Sequence, residues 1–416
     1  MAQSFDVVVR GAGVVGQATA LLLAQARLRV GLLPAPPRAQ PRLAAAMPLT
    51  GPQTALEGAA SDVRAFALNA ASRGLLQALR AWPGAEHCCP VTRMQVWGDE
   101  GGALEFAASS LGCEALAWIV DVPALQESLA AALRYQPLVE MLAPDAVLPK
   151  NTPLTVVSEG ASSASRAQHA IEFVATKYPQ QAIAARLHST QAHGGVARQW
   201  FVSTPEGAEV LALLPLPGMG DEQPGHSLAL VWSVPNERVA ALLALSPAEF
   251  EQALQARCAS VAQGGRGPSP SPLSDVADAT APGQLSLRSP RATWPLQRAQ
   301  ASRWVDDGFA LVGDAAHSVH PLAGQGLNLG LADAAELARV LQARDYWRSP
   351  GDVKLLRRYE RARKADVARM GFATDALERL FAHSNPRVQA LRNWGMQGFA
   401  RSGPLKDWVA RQAMGV

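Results

Sequence analysis

Apolar positions along this chain follow two rhythms. Short apolar runs bounded by turn residues, at Phe5–Val9, Leu28–Leu33, Leu154–Val157 and Phe309–Val312, predict buried strands. Alanine- and leucine-rich stretches predict helices over Ala18–Ala26, Val122–Leu133 and Leu327–Leu341. Leu125, Leu129 and Leu133 recur at fourfold spacing in the second, and Leu329, Leu337, Val340 and Leu341 share one face of the third. Between Ala182 and Val234 the pattern is strand-like, at Ile183–Leu187, Arg198–Ser203, Val210–Leu214 and Ser227–Ser233. Val91–Phe106 alternates enough for strands, Pro235–Ala259 reads as one or two helices, and Leu355–Val416 as largely helical. Pro34–Pro52 is an extended connection rich in proline and alanine, and Gln263–Ser274 is a Gly/Pro/Ser surface loop. Residues 1–80 form a first βαβ unit, which makes the fold class α/β. No internal repeat is visible.

The glycines stand where these elements join. Gly11-Ala12-Gly13-Val14-Val15-Gly16 is a complete G-x-G-x-x-G between a strand and a helix. Such glycines permit a tight turn, close approach to a pyrophosphate and helix-on-strand packing. Glycine-rich turns also serve plain βα connections, but strand before and helix after favour dinucleotide binding. Near the other end, Phe309–Val312 delivers Gly313 and Asp314 to the carboxyl end of a strand, where open α/β sheets bind ligands. Asp314 could instead be a helix cap. Gly324, Gln325, Gly326, Leu327 and Asn328 then lead into a helix with little β-carbon obstruction, so main-chain amides can meet a planar ligand. That arrangement suits a flavin.

Together these segments resemble the ubiquinone-biosynthesis aromatic hydroxylases, class A FAD-dependent monooxygenases with the p-hydroxybenzoate hydroxylase fold. The resemblance extends through Asp62–Ser72, Met94–Trp97, Trp118–Asp121, Ala197–Phe201, Leu214–Leu216, Leu230–Ser233, Tyr359–Lys364 and Arg411–Gly415, in order along nearly the whole chain. It implies a Rossmann-like FAD-binding domain interleaved with a β-sheet substrate domain, plus C-terminal helices. The implied FAD-binding domain is discontinuous, over 1–80, 110–168 and 286–350, with Ala292–Leu296 re-entering it. The substrate domain takes 81–109 and 169–285, and the helical region 351–416. Implied cofactor contacts are Gly11, Gly13, Val14, Val15, Gly16, Arg64, Gly313, Asp314, Pro321, Gly324, Gln325, Gly326, Leu327 and Asn328. Asp314 would meet the ribityl chain, Pro321 would shape the flavin pocket, and the amides after it would face the pyrimidine edge. Arg64, otherwise an ordinary surface charge, would lie near the pyrophosphate.

The implied activity is hydroxylation of a polyprenylated phenol or quinol in ubiquinone biosynthesis. NAD(P)H would be the reductant and a flavin hydroperoxide the oxygen donor, with no catalytic side chain of the protein required. The implied partners are the prenylated aromatic substrate and a multiprotein quinone-biosynthesis assembly. The protein would be cytoplasmic, with peripheral contact at the inner membrane surface. The sequence departs from the family at four places. Leu33-Pro34-Ala35-Pro36-Pro37 stands where an acidic residue would hold the adenosine ribose, and Glu159-Gly160 replaces the Asp-Gly pair. Pro137–Pro153 is short, and Asp121-Val122-Pro123 lacks a polar or basic cofactor contact. These changes weaken the adenosine half of the implied site. They keep open an alternative, a weakly active or inactive relative that scaffolds a quinone-biosynthesis complex.

Composition narrows the picture further. At 416 residues, 48% hydrophobic, the chain can bury two interleaved cores. A net charge of +3 without basic blocks argues against nucleic acid. No run is long and apolar enough for a transmembrane helix. Cys88, Cys89, Cys113 and Cys258 lack metal or redox spacing and read as ordinary thiols. His317 and His320 could share a helix face, but no third ligand accompanies them, so a structural role is expected rather than a metal.

Overall fold

The computed structural model describes residues 4–34, 63–98, 103–149, 151–218, 224–264, 282–319 and 325–382. Val7–Arg10 (β1), with Val7, Val8 and Val9 fully buried, is a central strand covered on both faces. The glycine turn leads into Val14–Gln25 (α1) and then Val30–Leu33 (β2), which runs parallel to β1. Ala65–Leu68 (β3) and Ala70–Ala78 (α2) follow, Asn69 capping the helix through its side chain. Cys88–Val91 (β4), Arg93–Trp97 (β5), Ala103–Ala107 (β6) and Ala117–Asp121 (β7) precede Val122–Arg134 (α3). Val139–Met141 (β8) and Leu154–Val157 (β9) then add to the parallel sheet, β9 lying against β1. After the short helix Ala164–Gln168 (α4) come four long strands: Phe173–Ser189 (β10), Val196–Thr204 (β11), Gly207–Pro215 (β12) and Ser227–Pro235 (β13). Two helices, Asn236–Ala244 (α5) and Pro247–Gly264 (α6), are separated at a proline. The chain continues through Leu285–Leu287 (β14), Ala292–Ala301 (β15), Val305–Asp306 (β16), Phe309–Leu311 (β17) and His317–Ser318 (β18). Gly326–Gln342 (α7) and Val353–Ala382 (α8) complete the described chain.

Three sheets result. The order β16-β17-β9-β1-β2-β8 makes a six-stranded sheet in which β1 is flanked on both sides by parallel neighbours. The connections leave β1 in opposite directions there, and in open α/β sheets that switch point opens a crevice at the strands' carboxyl ends. A nine-stranded sheet follows the path β18-β15-β10-β13-β12-β11-β5-β6, with β14 also on β10, and β3-β7-β4 make a small third sheet. One face of the large sheet buries Ile183, Leu187, Trp200, Leu211, Leu230 and Trp232 against Phe250 and Leu254 of α6. Its opposite face sets Leu214, Leu216 and Ala229 against Ile119, Ala65 and Ala67 of the small sheet.

Three expectations are corrected. Residues at Ala292–Leu296 do not re-enter the parallel sheet: β15 pairs antiparallel with β10 throughout, so the return comes at Val305 and Phe309. Strand β10 begins at Phe173, well before Ile183, because its largely exposed first half is held by pairing with β15 rather than by burial. His317 lies in a strand rather than on a helix. Pro321, Gly324, His320, Arg411–Gly415 and most of Pro34–Pro52 and Gln263–Ser274 lie outside the described residues.

Helix α7 crosses α1 closely because Gly330 has no side chain. A Cβ there would stand 2.7 Å from Val15 Cγ2 and 3.3 Å from the Gly313 Cα. In an open helix Gly→Ala gains about 1 kcal/mol. Here the β-branched Val15 cannot swing away, and overpacking costs about 1–3 kcal/mol. Gly330→Ala is therefore expected to lower the stability of the apoprotein in urea titrations, and adding Val15→Ala to recover most of the loss. A gain in stability from Gly330→Ala alone would show that the crossing has slack.

Candidate flavin site

The amino-terminal half of the site is the turn between β1 and α1. Gly11 has φ +108°, a left-handed conformation that favours glycine, and a Cβ there would lie 2.5 Å from the Ser158 carbonyl oxygen. Gly16 is as constrained, because its Cβ would meet the Gly11 oxygen at 1.8 Å. Gly13 differs: no atom lies within 4 Å of where its Cβ would be. The first and third glycines thus serve packing, while the second leaves space on the ligand side. Helix α1 starts at Gly13 with no side-chain cap and no acidic residue in its first turn. Its first amides, from Val14 and Val15 onward, keep their partial positive charge for an anion.

The second half begins where β17 ends. Gly313, at φ +61°, turns the chain into a 3-10 turn spanning Gly313–Ala315. Asp314 is exposed between buried Gly313 and Ala315, at the carboxyl end of the sheet. Helix α7 also begins without a side-chain cap or an acid in its first turn, and the Cβ position of Gly326 faces open space. Val15 touches the Cβ positions of both Gly313 and Gly330, so the two glycine-rich segments meet at one residue. Two uncapped helix starts and one exposed carboxylate therefore converge on the switch-point crevice. This combination fits FAD: donors for a pyrophosphate and for an electron-rich ring, and an acceptor for sugar-like hydroxyls.

Asn328 and Arg64 have further duties. The Asn328 side chain accepts from the Asn69 amide at 3.0 Å and the Ser72 hydroxyl at 2.7 Å, and donates to the Ala67 carbonyl at 2.8 Å. It fastens α7 to β3 and α2, so only its main-chain amide is left for a cofactor. Arg64 is exposed just before β3, with its guanidinium carbon 5.9 Å from the Phe66 ring centre. Its carbonyl accepts from Arg186 of β10 at 3.2 Å, and Arg186 also pairs with Asp121 at 2.5 Å. The strand bearing Arg64 is thereby tied to the large sheet.

Glu159, standing at the Asp-Gly position, is turned inward. Its carboxylate accepts from Ser163 Oγ at 2.7 Å and from the amide and hydroxyl of Ser165 at 3.0 and 2.7 Å, and it pairs with Arg10 at 3.2 Å. Burial alone would raise its pKa, but the serine hydrogen bonds and Arg10 outweigh burial and hold it below the usual carboxylate range. Arg166, which the motifs did not single out, is buried beside it. Arg166 donates to the Ala315 carbonyl at 2.9 Å and the Ala161 carbonyl at 2.5 Å and covers the Phe173 ring at 3.6 Å. It fixes the Asp314 turn from below, a role that an arginine in a serine-rich stretch does not announce. Among the described residues no group of three or more His, Cys, Asp or Glu could hold a metal.

This fold and paired site define a class A FAD-dependent monooxygenase. A family profile described as FAD binding domain matches residues 273–372. The chain is 30% identical to the 3-demethoxyubiquinol 3-hydroxylase of Escherichia coli, covering 100% of this chain and 99% of that protein. It is 29% identical to the mitochondrial ubiquinone biosynthesis monooxygenase COQ6 of Drosophila melanogaster, covering 99% and 90%. Among solved structures, p-nitrophenol 4-monooxygenase PnpA from Pseudomonas putida superposes with a TM-score of 0.68 at 18% identity, over 98% and 97% of the two chains. Klebsiella pneumoniae HpxO, complexed with FAD and uric acid, gives 0.64 at 16% identity over 98% and 96%. The chain belongs to the family of FAD-dependent hydroxylases of ubiquinone biosynthesis.

Glu159→Gln tests the inward-facing carboxylate. Charge-assisted hydrogen bonds contribute about 1.5–3 kcal/mol each, and glutamine keeps one acceptor where three donors and a cation converge. The variant is expected to be about 1–3 kcal/mol less stable at neutral pH. Because the folded carboxyl has a lowered pKa, its contribution is complete above the ordinary value of 4.5 and is lost as pH falls through the folded value. Denaturation titrations of both proteins from pH 7 to pH 3 should therefore converge at the acid end. A constant gap across that range would show that ionisation of Glu159 contributes nothing.

Proposed function

We propose that this monooxygenase hydroxylates the aromatic ring of a polyprenylated phenol or quinol intermediate of ubiquinone biosynthesis, taking electrons from NAD(P)H and oxygen from O2. The observation that carries the reading is the convergence of the Gly11–Gly16 turn with Gly313 and Gly330 at Val15. Val14 and Val15 would hold the pyrophosphate by their amides and Asp314 the ribityl hydroxyls, with Arg64 near the phosphates. Pro321 and Gly324 would border the ring, and the amides of Gln325, Gly326, Leu327 and Asn328 would lie along its pyrimidine edge. Negative charge gathers at that edge on reduction, and a helix start stabilises such charge by about 1 kcal/mol, more when partly buried. Bound FAD would supply the redox chemistry and activate oxygen; the chain orients the reactants and excludes water.

On the substrate side, relatives named as a 3-demethoxyubiquinol 3-hydroxylase and as ubiquinone biosynthesis monooxygenases favour a prenylated aromatic. A prenyl tail also requires access from a lipid surface, and among the described residues no helix is long and apolar enough to cross a membrane. Peripheral contact and membership of a quinone-biosynthesis assembly belong to the proposal.

One observation favours the second reading, a weakly active scaffold: Glu159 is engaged with Arg10, Ser163 and Ser165 and is not offered to a cofactor. The absorption spectrum of purified protein separates the two, since a stoichiometric yellow flavin supports the enzyme. Quinone intermediates in strains lacking each ring hydroxylase, complemented with this chain, would identify the carbon modified. Asp314→Ala is expected to lose most bound FAD while keeping its far-UV circular dichroism. Full flavin content in that folded variant would overturn the assignment of Asp314.

A further inference from the structure

A second, buried carboxylate lies beneath the Asp314 turn. Asp333 of α7 is fully buried, and one of its oxygens accepts both the Gly313 amide at 2.9 Å and His317 Nε2 at 2.6 Å. The other accepts Arg363 Nε from α8 at 2.8 Å. Gly313 precedes Asp314 directly, and His317 follows it by three residues, so the carboxylate grips the turn on both sides. The same mount has two further supports. The Trp304 ring stacks on His317 with centroids 4.8 Å apart, and the Tyr359 hydroxyl of α8 donates to the Leu311 carbonyl at 2.7 Å. A carboxylate this deep needs compensating donors and a cation to remain charged, and Arg363, itself 6% exposed, supplies the cation. Asp366 on the next turn of α8 accepts from Arg363 Nη1 at 2.5 Å and sets the guanidinium's orientation.

We propose that Asp333, His317 and Arg363 are positioning residues for the cofactor, through which helix α8 sets the attitude of Asp314. The inference rests on the reading that the Gly313–Asn328 segment holds FAD. None of the three is placed against the cofactor; they act through the backbone of the turn. The carboxylate is specific to the task, because one oxygen must accept two donors while the other accepts a third. An amide at this position would set its own N–H groups against either Arg363 or the His317–Gly313 pair. Arg363 is the distal member, so its loss should leave the fold of both sheets intact and loosen the turn.

The test is a double-mutant cycle read by FAD affinity, from fluorescence quenching of the apoprotein, with circular dichroism and thermal unfolding of each apoprotein in parallel. Arg363→Met is expected to weaken FAD binding about tenfold, and Arg363→Lys, which keeps the charge, to recover most of it. Asp314→Asn should weaken binding on its own. Combining it with Arg363→Met should cost little more, because both remove the same contact; two independent structural defects would multiply. Undiminished affinity in folded Arg363→Met, or full additivity in the cycle, would overturn the positioning role. Should Arg363→Met fail to fold, Arg363→Lys carries the same cycle, with a smaller loss expected and additivity again overturning the role. Unchanged affinity in Asp314→Asn would instead overturn the cofactor reading of the segment, a failure distinguishable from the first.

Discussion

The packing of Val15 against the bare backbones of Gly313 and Gly330 is the constraint on which the site depends. Those residues come from opposite ends of the chain, and their approach is close: a Cβ at Gly330 would stand 2.7 Å from Val15 Cγ2, and one at Gly313 3.3 Å from Val15 Cγ1. It brings the start of α1 beside the start of α7, so that two helix dipoles and one exposed carboxylate border the same crevice. The large sheet is joined to the same stretch of chain. Its edge strand β18 is the continuation of the Asp314 turn, pairing with β15 through His317 and Ser318. The Asp314 turn and the large sheet therefore share a stretch of backbone.

Buried charge is used at three depths. Between the large sheet and its helices, Glu209 is fully buried and held by Arg238, by Arg257 at 3.1 Å and by the Trp232 indole at 3.2 Å. Between the sheets, Arg186 and Asp121 join the large sheet to the Arg64 strand. Beneath the Asp314 turn, Asp333 joins α7, α8 and the end of β17. Pairs of this kind add little net stability, because desolvation consumes most of the attraction. Their physical value is orientation: each fixes the relative position of elements that apolar packing alone would let slide.

The sequence displayed the parts of this molecule whose signal is local. Strands β1, β2, β9 and β17 are buried on both faces and read as uninterrupted apolar runs, and the glycine turns mark their ends. The first half of β10 was illegible, because residues such as Thr176 and Lys177 owe their strand conformation to a partner more than a hundred residues away. The re-entry at Val305 was hidden for the same reason: β15 is as strand-like as a return to the parallel sheet would be. Glu159 shows the limit for site residues. Its charge at the Asp-Gly position is visible in the chain, but the arginine and serines that turn it inward are known only from the fold.

Asp333 did carry a signal. With Leu329 and Leu337 it occupies the i−4, i, i+4 row of the buried face of α7, where a leucine would ordinarily stand. An acid in an apolar stripe must either be neutralised by protonation or find donors, and this one finds three, with its pKa held down by His317 and Arg363 against the upward push of burial. A leucine would pack the same space, yet could not hold the Gly313 amide, which turns away from β-sheet pairing as the strand ends. The cost of burying the charge is thus incurred where the main chain leaves regular structure at the end of β17. The contrast is with the starts of α1 and α7, neither of which has a side-chain cap: the carboxylate beneath the turn is matched by three donors, while the first amides of the two helices keep their partial positive charge.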